Sequence, residues 1–197
     1  MNDESALLKA ARRLDKTALT QIFDLYAPAL YSYVLRLCHD PVDSDNIVGD
    51  VFAKLLEKLV AGQGPVTNLK AYLYQIAYHA VVDGARHNHR FAPLEVLVDT
   101  PDRLAKASIQ AHVEEREVLT AFRDILNNEL SEIQRHVIIL RFMEDFSLRE
   151  TAAILGKNVN HVKVIQNRGM AKLRRFLENR LGSNRLQKSF SLQRNSD

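Results

Sequence analysis

Apolar residues return every three or four positions along nearly the whole chain. No run alternates apolar and polar over strand length, so the pattern predicts helices throughout. Residues 4–13 read as a short helix. Asp15 or Thr17 can cap a second one, carrying Leu19, Ile22, Phe23 and Tyr26, and Pro28 is expected to kink or restart it before Leu30, Tyr33, Val34 and Leu37. Asp40 and Pro41 end that segment. Asp43 is expected to cap the next helix, whose Ile47, Val48, Val51, Phe52, Leu55, Leu56 and Leu59 form a core stripe opposite Asp45, Asn46, Asp50, Lys54 and Glu57. The glycines and proline of AGQGPVT, residues 61–67, predict a loop. Asn68 then caps a long helix reaching about His87, with Leu69, Tyr72, Leu73, Ile76, Ala77, Ala80 and Val81 inward and Lys70, Tyr74, Gln75, Tyr78, His79, Asp83 and Arg86 outward.

From Phe91 the period lapses. FAPLEVLVDTPDRLAKAS has two prolines and mixed polarity, which predicts an interdomain linker, although Leu94, Val96, Leu97 and Val98 are apolar enough to dock on something. Helical order resumes with Val113, Val118, Leu119, Phe122, Ile125 and Leu126, and Ser131 with Gln134 reads as a capping box for a further helix. Ser147 with Glu150 is another. It opens a short helix with Ala152, Ala153, Ile154 and Leu155 on its apolar face, which Gly156 can end in a left-handed cap. Asn158 caps the last helix, with Val159, Val162, Ile165, Met170 and Leu173 inward. Together these predict a helix-turn-helix. The expected fold is all-α: two small helical domains, 1–90 and 111–180, joined by a linker at 91–110, the second containing the helix-turn-helix, with a mobile basic tail at 181–197.

Charge adds a direction to this picture. Residues 157–197 carry ten Lys and Arg and two acids, a balance of +8, whereas residues 1–156 carry 17 basic and 22 acidic residues, a balance of −5. The basic end coincides with the helix-turn-helix, as expected of an electrostatic footprint for nucleic acid. No apolar run approaches a membrane span and the N-terminus lacks signal-peptide order, so membrane insertion is not expected and a cytoplasmic location is. Cys38 is alone, which excludes an internal disulfide. His79, His87 and His89 lack the Cys or carboxylate partners of a tetrahedral site, and no phosphate loop or nucleophile elbow is present. Neither metal, cofactor nor enzymatic activity is expected.

Two faces carry candidate chemistry. On the last helix Asn160, His161, Lys163, Val164, Asn167, Arg168 and Lys172 point outward; Asn can pair with adenine, and Lys and Arg can meet guanine or phosphate. On the helix after Asn68, tyrosines interleave with cationic and amide groups, which suits an unpaired strand because bases stack on the rings while cations follow the backbone. The plainer alternative is that the tyrosines only pack.

Three stretches, in order, resemble the extracytoplasmic-function (ECF) group of bacterial RNA polymerase sigma factors. DLYAPALYSYVLRLCHDPVDSDNIVGDVFAKLLEKL, residues 24–59, is similar to the segment that grips the polymerase clamp, where a helix usually opens D-A-E-D-L-V-Q-E-V-F; Asn46 and Gly49 stand where Asp and Gln are usual. NLKAYLYQIAYHAVVDGARHNHR, residues 68–90, is similar to the segment centred on A-W-L-Y-R-I-A-R-N that captures an unstacked base of the minus-ten element, with Tyr72 at the common Trp and Gln75, Tyr78 and His79 replacing Arg, Arg and Asn. LSEIQRHVIILRFMEDFSLRETAAILG and the VKVIQNRGMAKLRR that follows resemble the domain that reads the minus thirty-five element.

The resemblance implies a non-enzymatic subunit that joins core polymerase through Asp43, Asp45, Asn46, Asp50 and Lys54. It would take the minus-ten strand with Asn68, Lys70, Tyr72, Gln75, Tyr78, His79 and Arg86, and the minus thirty-five duplex with the seven outward residues of the last helix. The implied partners are RNA polymerase core enzyme and promoter DNA, with an anti-sigma factor left open. The rival reading is an operator-binding helix-turn-helix regulator that never joins core polymerase.

Overall fold

The computed structural model of the protein describes residues 4–87 and 120–181, helical throughout apart from the turns between helices. The expected linker at 91–110 lies outside them, as do all but the first residue of the expected tail, His89, Arg90, Val113, Val118 and Leu119. The described chain divides into two compact units, one of residues 4–87 with 139–162 and the other of residues 120–138 with 163–181.

The first unit opens with α1 (Glu4–Ala11) and α2 (Lys16–Cys38). Asp15 is the N-cap of α2, its carboxylate accepting from Ala18 N at 2.8 Å. Pro28 does not restart the chain: α2 runs unbroken through it. A proline inside a helix costs about 3 kcal/mol, but Tyr26, Leu30, Tyr33 and Val34 on either side are buried. At about 1.5–3 kcal/mol for each large side chain, their burial outweighs the lost hydrogen bond. His39, left-handed at φ 58°, stops the helix.

The start of α3 (Pro41–Val60) also differs from expectation. Asp40, not Asp43, is the N-cap, with its Oδ1 accepting from Asp43 N at 2.8 Å. Pro41 at the first helical position needs no N–H there, so the Asp-Pro pair that looked like a terminator is an initiator. Val48, Val51, Leu55 and Leu59 are buried as the stripe requires, whereas Leu56 is exposed. After the loop, Asn68 Oδ1 accepts from Ala71 N at 3.0 Å and starts α4 (Leu69–His87). The carboxylate of Glu4 at the head of α1 takes the Leu69 N–H at 2.8 Å, satisfying another orphan donor of that first turn. Helices α2, α3 and α4 pack on one another, and α1 packs on α2.

In the other unit, the helix over residues 120–128, α5, packs with parts of α6 (Glu132–Phe142) and α8 (Val159–Leu181). Ala121, Ile125, Leu126, Leu130, Ile138, Leu173 and Leu177 form its core. Gln134 Oε1 accepts from Ser131 N at 3.1 Å at the start of α6. Arg180 pairs with Asp124 at 2.8 Å, and the Arg135 guanidinium donates to the Asn127 carbonyl at 2.8 Å, tying the helices at their polar edges.

Candidate nucleic-acid and polymerase interfaces

The turn into the last helix is built as its residues require. Ser147 Oγ accepts from Glu150 N at 3.2 Å while Glu150 Oε2 accepts from Ser147 N at 2.8 Å, a complete capping box at the head of α7 (Leu148–Ile154). These bonds from Ser147, and then those from Asn68 and the charge of Lys70, hold the Glu150 carboxyl below the usual glutamate range. At the other end of α7, Lys157 N donates to Ala152 O at 2.9 Å and Gly156 N to Ala153 O at 3.3 Å, with Gly156 at φ +60°. That is a full Schellman closure. Asn158 Oδ1 then accepts from His161 N at 2.7 Å and α8 begins.

On α8 the residues Asn160, His161, Lys163, Val164, Asn167, Arg168 and Lys172 are all exposed, as the pattern predicted. The buried side differs in part. Val162, Ile165 and Leu173 are inward, but Val159 and Met170 are exposed and Gly169 takes the buried place instead. The reason is spacing: 162, 165, 169, 173 and 177 keep one face at three-four intervals, which 170 leaves. Ala153, expected on the apolar face of α7, is likewise exposed, while Ala152, Ile154 and Leu155 are buried. The Lys172 ammonium reaches the Glu129 carbonyl at 3.3 Å.

On α3 the positions Asp43, Asp45, Asn46, Asp50 and Lys54 are exposed, forming an acidic and polar face with Glu57. Gly49 sits among them with nothing within 4 Å of where a Cβ would stand.

The outer face of α4 departs most from the sequence reading. Tyr74, expected outward, is fully buried, its ring 5.0 Å from Tyr33 and 4.8 Å from Phe146. Burial, then the charge and hydrogen bond of Glu144, push its phenol pKa far up. Its hydroxyl donates to Glu144, which also takes a guanidinium N–H of Arg36 at 3.4 Å. For this tyrosine the plainer alternative holds, and a polar-looking position is a packing position with a satisfied hydroxyl. Lys70 donates to the Glu144 carbonyl at 2.7 Å with its ammonium 4.5 Å over the Phe146 ring. Asn68 Nδ2 donates to Glu150 Oε1 at 2.9 Å.

Asn68, Tyr72 and Gln75 come together along one groove of about 440 Å³, whose other wall is Arg149, Glu150, Ala153 and Ile154. Tyr72 is half-buried, which raises its phenol pKa. Tyr78 and His79 lie further along, ring centroids 5.3 Å apart, and do not line the groove; the Arg86 side chain is outside the described residues. Among the described residues no group of His, Cys, Asp and Glu could hold a metal, and no helix is long and apolar enough to cross a membrane. Cys38 is half-buried, its thiol pushed up to about 11 by burial and then by Asp43 and Asp40.

Comparison with known proteins joins these faces. Residues 22–91 match the family model of Sigma-70 region 2, and residues 128–175 match that of Sigma-70 region 4. The ECF RNA polymerase sigma factor SigX of Bacillus subtilis is 28% identical over 169 residues, covering 80% of this chain and 82% of the relative. The chain belongs to the extracytoplasmic-function group of RNA polymerase sigma factors. ECF sigma factor SigD of Mycobacterium tuberculosis is similar at 28% identity, covering 81% of this chain and 77% of its own. Among solved structures, the sigma factor RpoE in complex with the anti-sigma factor NepR from Bartonella quintana aligns with a TM-score of 0.61 at 25% identity, over 81% of this chain and 96% of that one. CnrH in complex with the cytosolic domain of CnrY aligns at 0.64 and 23% identity, over 89% and 97%, and speaks for the fold alone. As a sigma factor the protein recruits core RNA polymerase to promoter DNA. An operator-binding regulator, the rival that a helix-turn-helix alone permits, does not account for region 2.

Proposed function

We propose that this sigma factor divides promoter recognition among three helix faces. The exposed acidic face of α3, Asp43 to Lys54, docks on the clamp of core polymerase. Asn68, Lys70, Tyr72, Gln75, Tyr78, His79 and Arg86 on and around α4 take the unpaired minus-ten strand. Asn160, His161, Lys163, Val164 and Asn167 choose the minus thirty-five sequence, with Arg168 and Lys172 on phosphates. The observation that carries this reading is the α8 face, seven neighbouring exposed positions behind a fully capped turn. Promoter opening follows from selective binding of the separated strand, an equilibrium shift that requires no catalytic step by this chain.

The protein acts in the cytoplasm, where polymerase and promoters are. Similarity to RpoE, solved with the anti-sigma factor NepR, supports an anti-sigma factor as a further partner. Run-off transcription with purified core enzyme on a promoter library tests the whole reading. Initiation at templates sharing upstream and downstream motifs is expected; binding to duplexes without any core-dependent transcript would overturn it.

A further inference from the structure

Glu4 opens α1, yet its carboxylate is tied to the head of α4, 65 positions along the chain, where Oε1 accepts the Leu69 N–H at 2.8 Å. Tyr26 of α2, 8% exposed, lies against the same carboxylate: burial, then the charge of Glu4 and a hydrogen bond to it, raise the Tyr26 phenol. One side chain therefore joins α1, α2 and α4. An acid in the first turn of α1 complements that helix's own dipole from water equally well, so the bond to a different helix goes beyond that role.

The junction that Glu4 closes is a constrained one. Loop 61–67 leaves α3 under local control: Gln63 N donates to the Lys58 carbonyl at 2.8 Å, the Lys58 ammonium donates to Gln63 Oε1 at 3.2 Å, and a Cβ on Gly64 would stand 2.5 Å from Leu59 Cδ2. At its far end the chain enters α4 through Asn68, left-handed at φ 51°. Asparagine tolerates that region better than most residues, but such a backbone persists where its surroundings fix it. Asn68 Oδ1 takes the Ala71 N–H, and Glu4 takes the Leu69 N–H, which has no partner within α4 itself. Pro65, Thr67, Asn68, Tyr72 and Gln75 border one groove, so the angle at which the loop meets α4 sets their spacing.

We propose that Glu4 is a positioning residue for strand capture: through the Leu69 N–H it fixes the junction of loop 61–67 with α4, and with it the spacing of the groove residues that take the unpaired minus-ten strand. The proposal rests on the reading of α4 as the strand-capturing helix. It gives promoter opening a determinant in α1, which lies outside the matched region 2 and outside the three recognition faces.

The test uses holoenzyme assembled from core RNA polymerase and the full chain, on a promoter from the library. Glu4→Ala removes the acceptor, and Glu4→Gln keeps an amide oxygen at the same reach. Permanganate reactivity of the opened thymines is followed in time over a range of holoenzyme concentrations. Glu4→Ala is expected to slow opening at saturating holoenzyme by about tenfold with the half-saturating concentration within about twofold, and Glu4→Gln to recover most of the rate. A variant that merely folds less well loses amplitude and keeps its rate at saturation. Wild-type opening by Glu4→Ala overturns the proposal. So does equal slowing by Glu4→Gln, which makes charge and not the acceptor the cause, and so does a loss confined to amplitude, which makes Glu4 a stability residue. Tyr72→Ala with Gln75→Ala separates the two ideas. If that pair opens the promoter normally, the α4 reading fails and the positioning role with it; if the pair is slow and Glu4→Ala is not, the role of Glu4 alone fails.

Discussion

One added methyl group at two glycines of the helix-turn-helix region should act with opposite sign. Gly169 is buried in the interior of α8, and a Cβ there would meet Ile138 Cδ1 and Cγ1 at 3.5 Å and Gln134 Cβ at 3.6 Å, ordinary contact distances. Alanine gains about 0.8–1.0 kcal/mol of helix propensity over glycine, and burying the methyl adds up to about 0.8 kcal/mol. Gly169→Ala is therefore expected to stabilise by about 1–2 kcal/mol. Gly156 has open space around its Cβ position but stands at φ +60°. There an L-residue pays about 1–2 kcal/mol, partly offset by about 0.4–1 kcal/mol of lost unfolded-chain freedom. Gly156→Ala should thus lose about 1 kcal/mol. Urea unfolding of the full chain followed by circular dichroism reads both, with midpoint shifts of about 0.5 M in opposite directions and unchanged slope. Duplex affinity of Gly169→Ala should hold, since the outward face of α8 is untouched. A destabilised Gly169→Ala would mean that the seam between α6 and α8 is already full; a neutral Gly156→Ala would mean that the Schellman closure is not what sets the turn.

Other expectations concern the interfaces and pH. Arg168→Ala or Lys172→Ala should each lower the slope of log affinity against log salt by about 0.9 if both meet phosphates, measured by titration on a duplex drawn from the promoter library. Asn167→Ala should leave that slope alone and relax base preference by about 1–3 kcal/mol. Asp45→Lys with Asp50→Lys should weaken core-polymerase binding while duplex binding persists, and unchanged affinity for core would rule out the α3 face. His136 is buried and its pKa is pushed down to about 3 by desolvation and then by Arg135. Its unfolded form therefore binds a proton that the folded form refuses between the ordinary histidine value and about 3. Stability is fully present above the ordinary value and falls with acidification at up to about 1.4 kcal/mol per pH unit. His136→Leu should flatten that ramp in urea titrations run at stepped pH.

Local chemistry was legible in the chain, and tertiary competition was not. The Ser147 and Glu150 box, the Gly156 closure and the Asn68 and Asn158 caps each depend on residues a few positions apart, so their spacing alone announced them. Asp40 was missed because an Asp-Pro pair stops one helix and starts the next equally well; only the position of the following apolar stripe distinguishes the two. The unbroken α2 was missed because the local penalty of Pro28 is fixed while the burial that outweighs it is not local.

Tyr74 shows where pattern reading ends. Between Leu73 and Gln75 it occupies the edge of the apolar stripe, where a tyrosine can turn either way, and its partner Glu144 lies 70 residues on. A polar atom on a helix is satisfied equally by water, a nucleotide or a buried carboxylate, and the helical period contains nothing to choose among them. On α8 the seven predicted residues are all exposed, so the sequence-predicted face and the structural face coincide, even where Lys172 reaches the Glu129 carbonyl. On α4 a carboxylate is the partner of Tyr74, and a carbonyl and a second carboxylate are those of Lys70 and Asn68. Tyr74 is thereby a core residue, while Asn68 and Lys70 stay at the edge of α4 with further N–H donors. Under the proposed strand-capturing role of α4, the affinity of Asn68 and Lys70 for DNA is the difference between the bonds formed there and those now made to Glu150 and Glu144.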